Sequence, residues 1–186
     1  MHSDHLAHAV EKSAVDAEVT LNTTLIDESG FRRILGQFAT GVTVVTMVDA
    51  KGQLSGFTAN SFSSVSLDPP LVLVCVSYEA RSYEHLRDQQ AFTVHILDGD
   101  QRRVAHRFAT PGLDRSAVCD WHVNERGFAV LSKFHAALEC RLYREYDGGD
   151  HAIVLGRVER LYTDDAGTDP LISYRGQLFP LGREYD

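Results

Sequence analysis

The segment from Gly56 to Pro70 has the residue types best suited to binding chemistry. The eleven positions from Thr58 to Asp68 include four serines, one threonine and one asparagine. Such side chains bond to neighbouring backbone and leave N–H groups exposed in irregular turns. A run of exposed N–H and hydroxyl groups can hold a phosphate, or a planar ring with many acceptors. On composition alone, an ordinary polar loop between two strands is the commoner explanation.

The pair Arg81-Ser82 is a second candidate. Ser82 could cap a following helix, and the N-terminus of a helix attracts phosphate. Arg81 would add a permanently charged, forked donor to that site. A plain helix cap beside a surface arginine is the alternative, and it is the simpler one for this pair taken alone.

Two further pairs join a charged residue to a ring. Asp150 precedes His151 at the tip of a predicted hairpin. An aspartate can hold a histidine in one tautomer, ready to donate a proton or to meet an amide group of a ligand. Tyr174 and Arg175 could stack on a ring and pair with a phosphate. A solvated turn and an exposed strand end are the alternatives for these two pairs.

Composition limits the possible partners. The chain has 186 residues, of which 44% are hydrophobic, and this fits one packed domain. Its net charge of −8 opposes binding to nucleic acid. The cysteines Cys75, Cys119 and Cys140 form no C-x-x-C pair. We therefore expect no disulfide framework and no metal site, but reduced thiols in a cytoplasmic protein. The sequence has neither an apolar run of about 20 residues nor a signal peptide, so no membrane association is predicted.

Several nucleotide-binding and hydrolase motifs are absent from the sequence. No G-x-G-x-x-G lies between a strand and a helix, and no G-x-x-x-x-G-K-S loop occurs. The G-x-S-x-G elbow of a hydrolase is also missing. Any nucleotide must therefore be bound by other means.

The hydrophobic pattern predicts many strands and few helices. A helix is expected to begin at Asp27 and end near Gly41, with one apolar face. Residues 71–76 form an apolar run typical of a buried strand. Two long strand-like runs, 135–146 and 151–162, are joined by a glycine-containing turn, which predicts a hairpin. The pattern favours an antiparallel barrel with a few peripheral helices. Residues 1–26 read as an N-terminal tail and residues 27–186 as the domain.

Four pieces of the chain, in this order and at this spacing, resemble one protein family. The family is that of the short-chain flavin reductases of two-component monooxygenases, also called flavin reductase-like, FMN-binding split-barrel proteins. The pieces that carry the resemblance are F-R-R-I-L-G-Q-F-A-T-G-V-T-V-V-T from Phe31, G-F-T-A-N-S-F-S-S-V-S-L-D-P-P-L-V from Gly56, G-D-H-A-I-V-L-G-R-V from Gly149, and the terminal Y-R-G.

The resemblance implies a fold and an activity. The fold would be mainly β, an antiparallel six-stranded split β-barrel with a few peripheral helices. Two subunits would pair as a homodimer with a flavin site near each end of the interface. The activity would be hydride transfer from NADH or NADPH to FMN or FAD, and the reduced flavin would go to a partner flavin-dependent monooxygenase.

The resemblance also assigns residues. Residues 58–61 would lie along the isoalloxazine, residues 75–77 would form the opposite wall, and Arg81-Ser82 would face the flavin phosphate. His151 would be the catalytic residue that meets the nicotinamide. The flavin-binding set is Thr58, Ala59, Asn60, Ser61, Ser63, Ser64, Cys75, Val76, Ser77, Arg81, Ser82, Phe108 and Ala109, and the nicotinamide-binding set is Asp150, His151, Tyr174 and Arg175.

Two other functions fit the same features. A flavoprotein of this fold could hold its flavin tightly and reduce another acceptor, in which case it would purify yellow and turn over free flavin slowly. A non-enzymatic flavin-binding module would bind flavin without oxidising NADH. The sequence does not decide between FMN and FAD, between NADH and NADPH, or between flavin as substrate and as prosthetic group, and it does not identify the oxygenase.

Overall fold

The protein, represented by a computed structural model, is described over residues 26–163 and 168–182. The tail predicted at residues 1–26 lies outside this range except for Ile26. Three α-helices and twelve strands occur in the described residues. They are α1 (Glu28–Leu35), β1 (Thr40–Gly41), β2 (Thr43–Val48), β3 (Leu54–Ala59), β4 (Ser63–Leu67), β5 (Pro70–Ser77), α2 (Arg81–Gln89), β6 (Ala91–Ile96), α3 (Arg102–Ala109), β7 (Trp121–Val123), β8 (Ala129–Leu131), β9 (Ala136–Asp147), β10 (His151–Thr163), β11 (Leu171–Tyr174) and β12 (Gln177–Pro180).

Seven strands form one antiparallel sheet in the order β3-β2-β6-β9-β10-β5-β4. Its two edge strands, β3 and β4, are consecutive in the chain and only residues 60–62 separate them. A link of that length spans at most about 14 Å between Ala59 and Ser63, so the sheet must curl until its edges meet. The strand edges therefore face each other across a seam, which is the geometry of a split barrel.

The expected mainly-β antiparallel fold is confirmed. The count of six barrel strands stays a prediction, because the main sheet has seven strands and its hydrogen bonds do not close into a ring. Two smaller sheets accompany it, one of β1, β11 and β12 and one of β7 and β8. Within the described residues, no helix has the length and apolar composition that crossing a membrane requires.

The core lies on both sides of β2. Val45 and Met47 point into the barrel with Phe92 and Val94 of β6. Val44 points outward and packs under α3 against Phe108, and Thr46 Oγ1 donates a hydrogen bond to Ala129 O of β8. Because successive side chains of a strand alternate between faces, burial of the whole run from residue 43 to residue 47 needs a layer on each side.

The helix α1 begins as expected but ends early. Its N-cap is Asp27, whose carboxylate accepts a hydrogen bond from Gly30 N at 2.6 Å. It ends at Gly36, not near the predicted Gly41, because Gly41 pairs with Ile172 of β11. The apolar face predicted for this helix is exposed to solvent, at 57% for Phe31, 61% for Ile34, 56% for Leu35 and 77% for Phe38.

The segment Ser63–Leu67 was expected to form irregular turns, and that expectation is wrong. It forms the edge strand β4, paired with β5 from Ser63↔Leu73 to Leu67↔Pro70. The turn at Asp68 and Pro69 reverses the chain and brings this polar run beside an apolar strand. Pro70 is tolerated because it stands at the first position of β5. The irregular part of the segment is confined to residues 60–62.

A buried carboxylate holds the small β7–β8 sheet against the main one. Glu139 on β9 is fully buried and receives hydrogen bonds from Asn124 Nδ2, Arg126 NH1 and the Tyr162 hydroxyl. Arg126 also pairs with Glu159 on β10. Removing one member of a buried ion pair leaves an uncompensated charge in the interior, so this cluster has a large effect on stability.

We expect Arg126→Met to lower the free energy of unfolding by about 3 kcal/mol, because it leaves the buried Glu139 carboxylate without a paired cation. Urea unfolding followed by circular dichroism measures this change. The matched control is Arg32→Met, which removes an exposed pair with Glu28 and should cost less than about 0.5 kcal/mol. Equal losses in the two variants would contradict this account of Glu139.

Candidate functional site

The turn between β3 and β4 is tied to β5 by one serine. Ser61 Oγ accepts a hydrogen bond from Cys75 N at 2.9 Å. The same hydroxyl lies 3.5 Å from Cys75 O, to which it donates. This serine therefore closes the seam of the barrel at the point where the two predicted flavin walls begin. The structure thus brings Ser61 and Cys75, one residue from each predicted wall, into contact.

The two residues before this turn belong to β3, where Thr58 is held from outside the barrel by α3 and Ala59 is packed in the barrel core. Thr58 Oγ1 donates to Ala105 O at 2.6 Å, so its hydroxyl is engaged with α3. Ala59 is buried, and its carbonyl accepts from Thr43 Oγ1 at 2.8 Å. Asn60 is exposed. The free polar groups of this stretch therefore begin at Asn60.

The serines of β4 and the end of β5 form the rest of this surface. Ser63 and Ser64 are exposed on the edge strand. On β5, Cys75 and Ser77 are half-buried and Val76 is buried in the barrel core. Because strand residues alternate between faces, Cys75 and Ser77 share the outer face and Val76 supports them from inside.

The helix α2 begins one residue before the predicted cap. Its N-cap is Ala80, which provides no side-chain hydrogen bond, and Ser82 is a buried residue of the first turn. The prediction that Ser82 caps the helix is therefore wrong. No side chain caps the first N–H groups of the helix, and Arg81 is exposed beside them. This arrangement favours the binding of an anion.

The register of β5 with β10 places the hairpin tip beside the predicted flavin wall. His151 lies opposite Ser77, and Ile153 lies opposite Cys75. Asp150 Oδ1 contacts His151 Nδ1 at 2.6 Å. This hydrogen bond to His151 is the main reason that the pKa of the exposed Asp150 carboxyl is lowered from its usual value. The carboxylate therefore holds the imidazole in one orientation.

The pair Tyr174-Arg175 lies beside the C-terminal end of α1. Arg175 N donates to Gly36 O, and Arg175 Nε donates to Gln37 Oε1, each at 2.8 Å. The guanidinium also lies 5.1 Å from the centre of the Tyr174 ring. One turn earlier in the same helix, the charge of Arg32 contributes to the lowered pKa of Asp150. The end of α1 is thus tied directly to Arg175.

The predicted pair on α3 is divided between core and surface. Phe108 is buried and packs where Gly56 leaves room, since a Cβ at Gly56 would lie 3.1 Å from its ring. Ala109 is exposed. Phe108 supports β3 from outside the barrel, and only Ala109 offers surface to a ligand. Sequence reasoning did not assign Gln37 to the site, because its contact with Arg175 spans more than 100 residues and leaves no local pattern.

The residues present fit a flavin. A polar edge runs from Asn60 through the exposed serines of β4, and an uncapped helix N-terminus beside Arg81 suits a phosphate. Grooves of about 510 Å³, between α3 and residues 116–120, and about 290 Å³, at the end of α2, contain none of the predicted site residues. The predicted site is thus an open surface between the barrel seam and the hairpin tip.

Comparison with known proteins gives a consistent result. A family model described as the flavin reductase like domain matches residues 35–182. A probable flavin reductase of Rhizobium meliloti is 41% identical over 159 residues, which are 86% of this chain and 50% of that protein. The chain therefore spans about half the length of this relative. The reductase subunit HsaB of a flavin-dependent monooxygenase from Rhodococcus jostii is 37% identical, over 89% of this chain and 84% of its own length.

Solved structures agree with these sequences. The NADH:FAD oxidoreductase SgcE6 of Streptomyces globisporus, solved in complex with NAD and FAD fragments, superimposes with a TM-score of 0.80. Its sequence is 36% identical, and the alignment covers 88% of this chain and all of that one.

The hydrogen bond between Asp150 and His151 predicts a titration effect. In His151→Ala, the pKa of Asp150 should rise toward its ordinary value, because the largest cause of its lowering is gone. Carbon-detected NMR of the carboxyl groups measures this change. Asp49 is the control, since the backbone amide of Gln53 chiefly lowers its pKa and the substitution should leave it unchanged. An unaltered Asp150 titration would show that the pair does not form in solution.

Proposed function

Because the chain belongs to the flavin reductase-like family, we propose that it is an NAD(P)H:flavin oxidoreductase, which transfers a hydride from a reduced nicotinamide to FMN or FAD. The observation that carries the proposal is the pairing of β5 with β10, which sets His151 opposite Ser77. Flavin-facing and nicotinamide-facing residues thereby lie on adjacent strands of one sheet.

Hydride transfer is chemistry that the two cofactors supply when both are bound. The protein has to hold them in contact and in the correct orientation, which can provide much of the rate. Residues 60–64 offer amides and hydroxyls to the polar edge of a flavin ring. Cys75 and Ser77 form a wall beside it, and Arg81 with the start of α2 faces its phosphate. His151, oriented by Asp150, contacts the nicotinamide.

Charge also develops on the flavin as it is reduced. Backbone N–H groups directed at that charge stabilise it without reorganisation during the reaction. The turn at residues 60–62 is suited to this because the Ser61–Cys75 hydrogen bonds fix its position against β5. An open polar surface suits a flavin that enters and leaves as a substrate.

The relatives narrow the proposal. The structure of SgcE6 with NAD and FAD fragments supports NADH as donor and a flavin nucleotide as acceptor. The relationship to HsaB supports a flavin-dependent monooxygenase as the partner that receives reduced flavin. The three cysteines form no disulfide, which agrees with the cytoplasm as the proposed location.

We further propose that the chain works as a homodimer paired through α1. A stripe of four large apolar residues, exposed by more than half, is typical of a helix that packs against another surface. The C-terminal end of the helix adjoins the proposed site, because Gly36 O accepts a hydrogen bond from Arg175 N. A second copy on this stripe would add a wall to the open cleft. Closed two-fold dimers are the commonest soluble oligomers.

The proposed activity is tested by steady-state oxidation of NADH and NADPH with FMN, FAD and riboflavin as acceptors. His151→Ala should raise KM for the nicotinamide more than KM for flavin. Ser61→Ala should raise KM for flavin more than KM for the nicotinamide, because it removes the hydrogen bonds to Cys75 that fix the turn facing the flavin. We expect about tenfold for each affected constant, equivalent to the loss of one hydrogen bond of about 1.4 kcal/mol.

The control for the second variant is Ser132→Ala, on an exposed loop away from the site. It should leave both KM values unchanged. Equal losses for flavin and nicotinamide in His151→Ala would remove the role assigned to this residue. Wild-type protein that binds no flavin and consumes no reduced nicotinamide would overturn the proposed function.

The proposed dimer predicts a mass of twice 20.7 kDa by sedimentation equilibrium. Ile34→Lys with Phe38→Lys should shift the protein toward the monomer, because two charges would enter an apolar interface. Val123→Lys, at another exposed apolar position, should not change the mass. A monomeric wild-type protein would contradict the proposal. The apolar face of α1 would then be expected to pack against another segment of the chain or a different protein.

A further inference from the structure

Two tyrosines that no sequence motif assigns connect the segment after β5 to the β9–β10 hairpin. Tyr78 Oη donates to Asp147 Oδ1 at 3.0 Å, and Tyr83 Oη donates to Glu145 Oε1 at 2.5 Å. Both acceptors lie on β9, two residues apart, and therefore on one face of the strand. We call these four residues the tyrosine clasp.

The two tyrosines act as one packed unit. Their rings meet edge to face, with centroids 5.1 Å apart and an angle of 81°. The guanidinium of Arg87 lies 5.6 Å from the centre of the Tyr83 ring. The pKa of Tyr83 is raised chiefly by its bond to Glu145, and that of Tyr78 by burial and by its bond to Asp147. Both hydroxyls therefore keep their protons and donate at neutral pH.

Tyr78 has a second contact with the hairpin. Its backbone N donates to Asp150 O at 3.2 Å. The side chain thus holds the end of β9 at Asp147, and the main chain holds the residue just before β10. Between these two anchors lie Gly148 and Gly149, and Gly149 has φ of +87°. Glycines give a turn little stiffness of its own, so the anchors outside the turn fix its direction.

We propose that Tyr78 is a positioning residue, whose hydroxyl at Asp147 and main chain at Asp150 together fix the hairpin tip and the orientation of the His151 imidazole. Its main-chain contact is to the carbonyl of Asp150, and the carboxylate of the same residue contacts His151 Nδ1 at 2.6 Å. The inference rests on the proposed function, because it assigns Tyr78 a role in binding the nicotinamide.

The clasp also couples the two halves of the site. Tyr78 directly follows Ser77 of the flavin wall, and Tyr83 lies in the first turn of α2, whose N-terminus faces the proposed phosphate. The segment of residues 77–83 thus carries the proposed flavin-facing residues and also the two tyrosines that hold the β9–β10 hairpin. A flavin that orders residues 77–82 should thereby order the hairpin tip as well.

The test compares Tyr78→Phe with Tyr143→Phe by steady-state kinetics. Tyr143 is a matched control, since it lies on β9 and its hydroxyl makes no hydrogen bond within the described residues. Tyr78→Phe should raise KM for NADH about three- to tenfold, the loss expected for one hydrogen bond to a charged group in a partly exposed site. KM for flavin should change less than about twofold, and Tyr143→Phe should resemble the wild type.

The double variant Tyr78→Phe with His151→Ala separates positioning from general stability. If Tyr78 acts through His151, adding Tyr78→Phe to His151→Ala should change KM for NADH by less than about twofold. Effects that multiply, or an equal rise in KM for flavin, would overturn the inference. So would an active wild type whose Tyr78→Phe variant behaves identically. A wild type that consumes no reduced nicotinamide would instead overturn the proposed function on which the inference rests.

Discussion

The three-residue link between β3 and β4 is the constraint on which the architecture depends. It joins the two edges of a seven-stranded sheet, so the sheet has to curl. At the resulting seam, Ser61 exchanges hydrogen bonds with the backbone of Cys75 and places the polar turn against β5. Because β5 pairs with β10, the same strand also fixes the position of His151. One strand therefore holds both halves of the proposed site.

In this arrangement the two faces of a strand have different roles. Residues inside the barrel, such as Val76 of β5, are buried and provide rigidity, while Cys75 and Ser77 on the outer face are available to a ligand. The long hairpin is stiffened at its base by the buried Glu139 cluster and at its tip by the tyrosine clasp. Rigid strands then carry side chains whose function is to orient two cofactors rather than to react with them.

Much of this could be predicted from the sequence. The glycine turn at residues 148–149 identified the hairpin, and the order of the polar motifs identified the family. The residues assigned to the flavin stay a prediction. Other features could not be read locally. The serines of β4 look like a loop because a strand on a sheet edge needs no apolar alternation. The contacts of Arg175 with Gln37 and of Tyr78 with Asp147 join distant parts of the chain, and only the folded protein brings them together. The apolar face of α1 was predicted from its spacing, but no element among residues 26–163 and 168–182 covers it.

The most direct test of the account is amide hydrogen exchange of the full chain, without ligand, with FAD, and with FAD plus NAD. Flavin should slow exchange at residues 60–64 and 75–82, and adding NAD should extend the protection to residues 148–152. Protection confined to the groove between α3 and residues 116–120, or no protection at the barrel seam, would contradict the claim that the seam and the hairpin tip form one binding site.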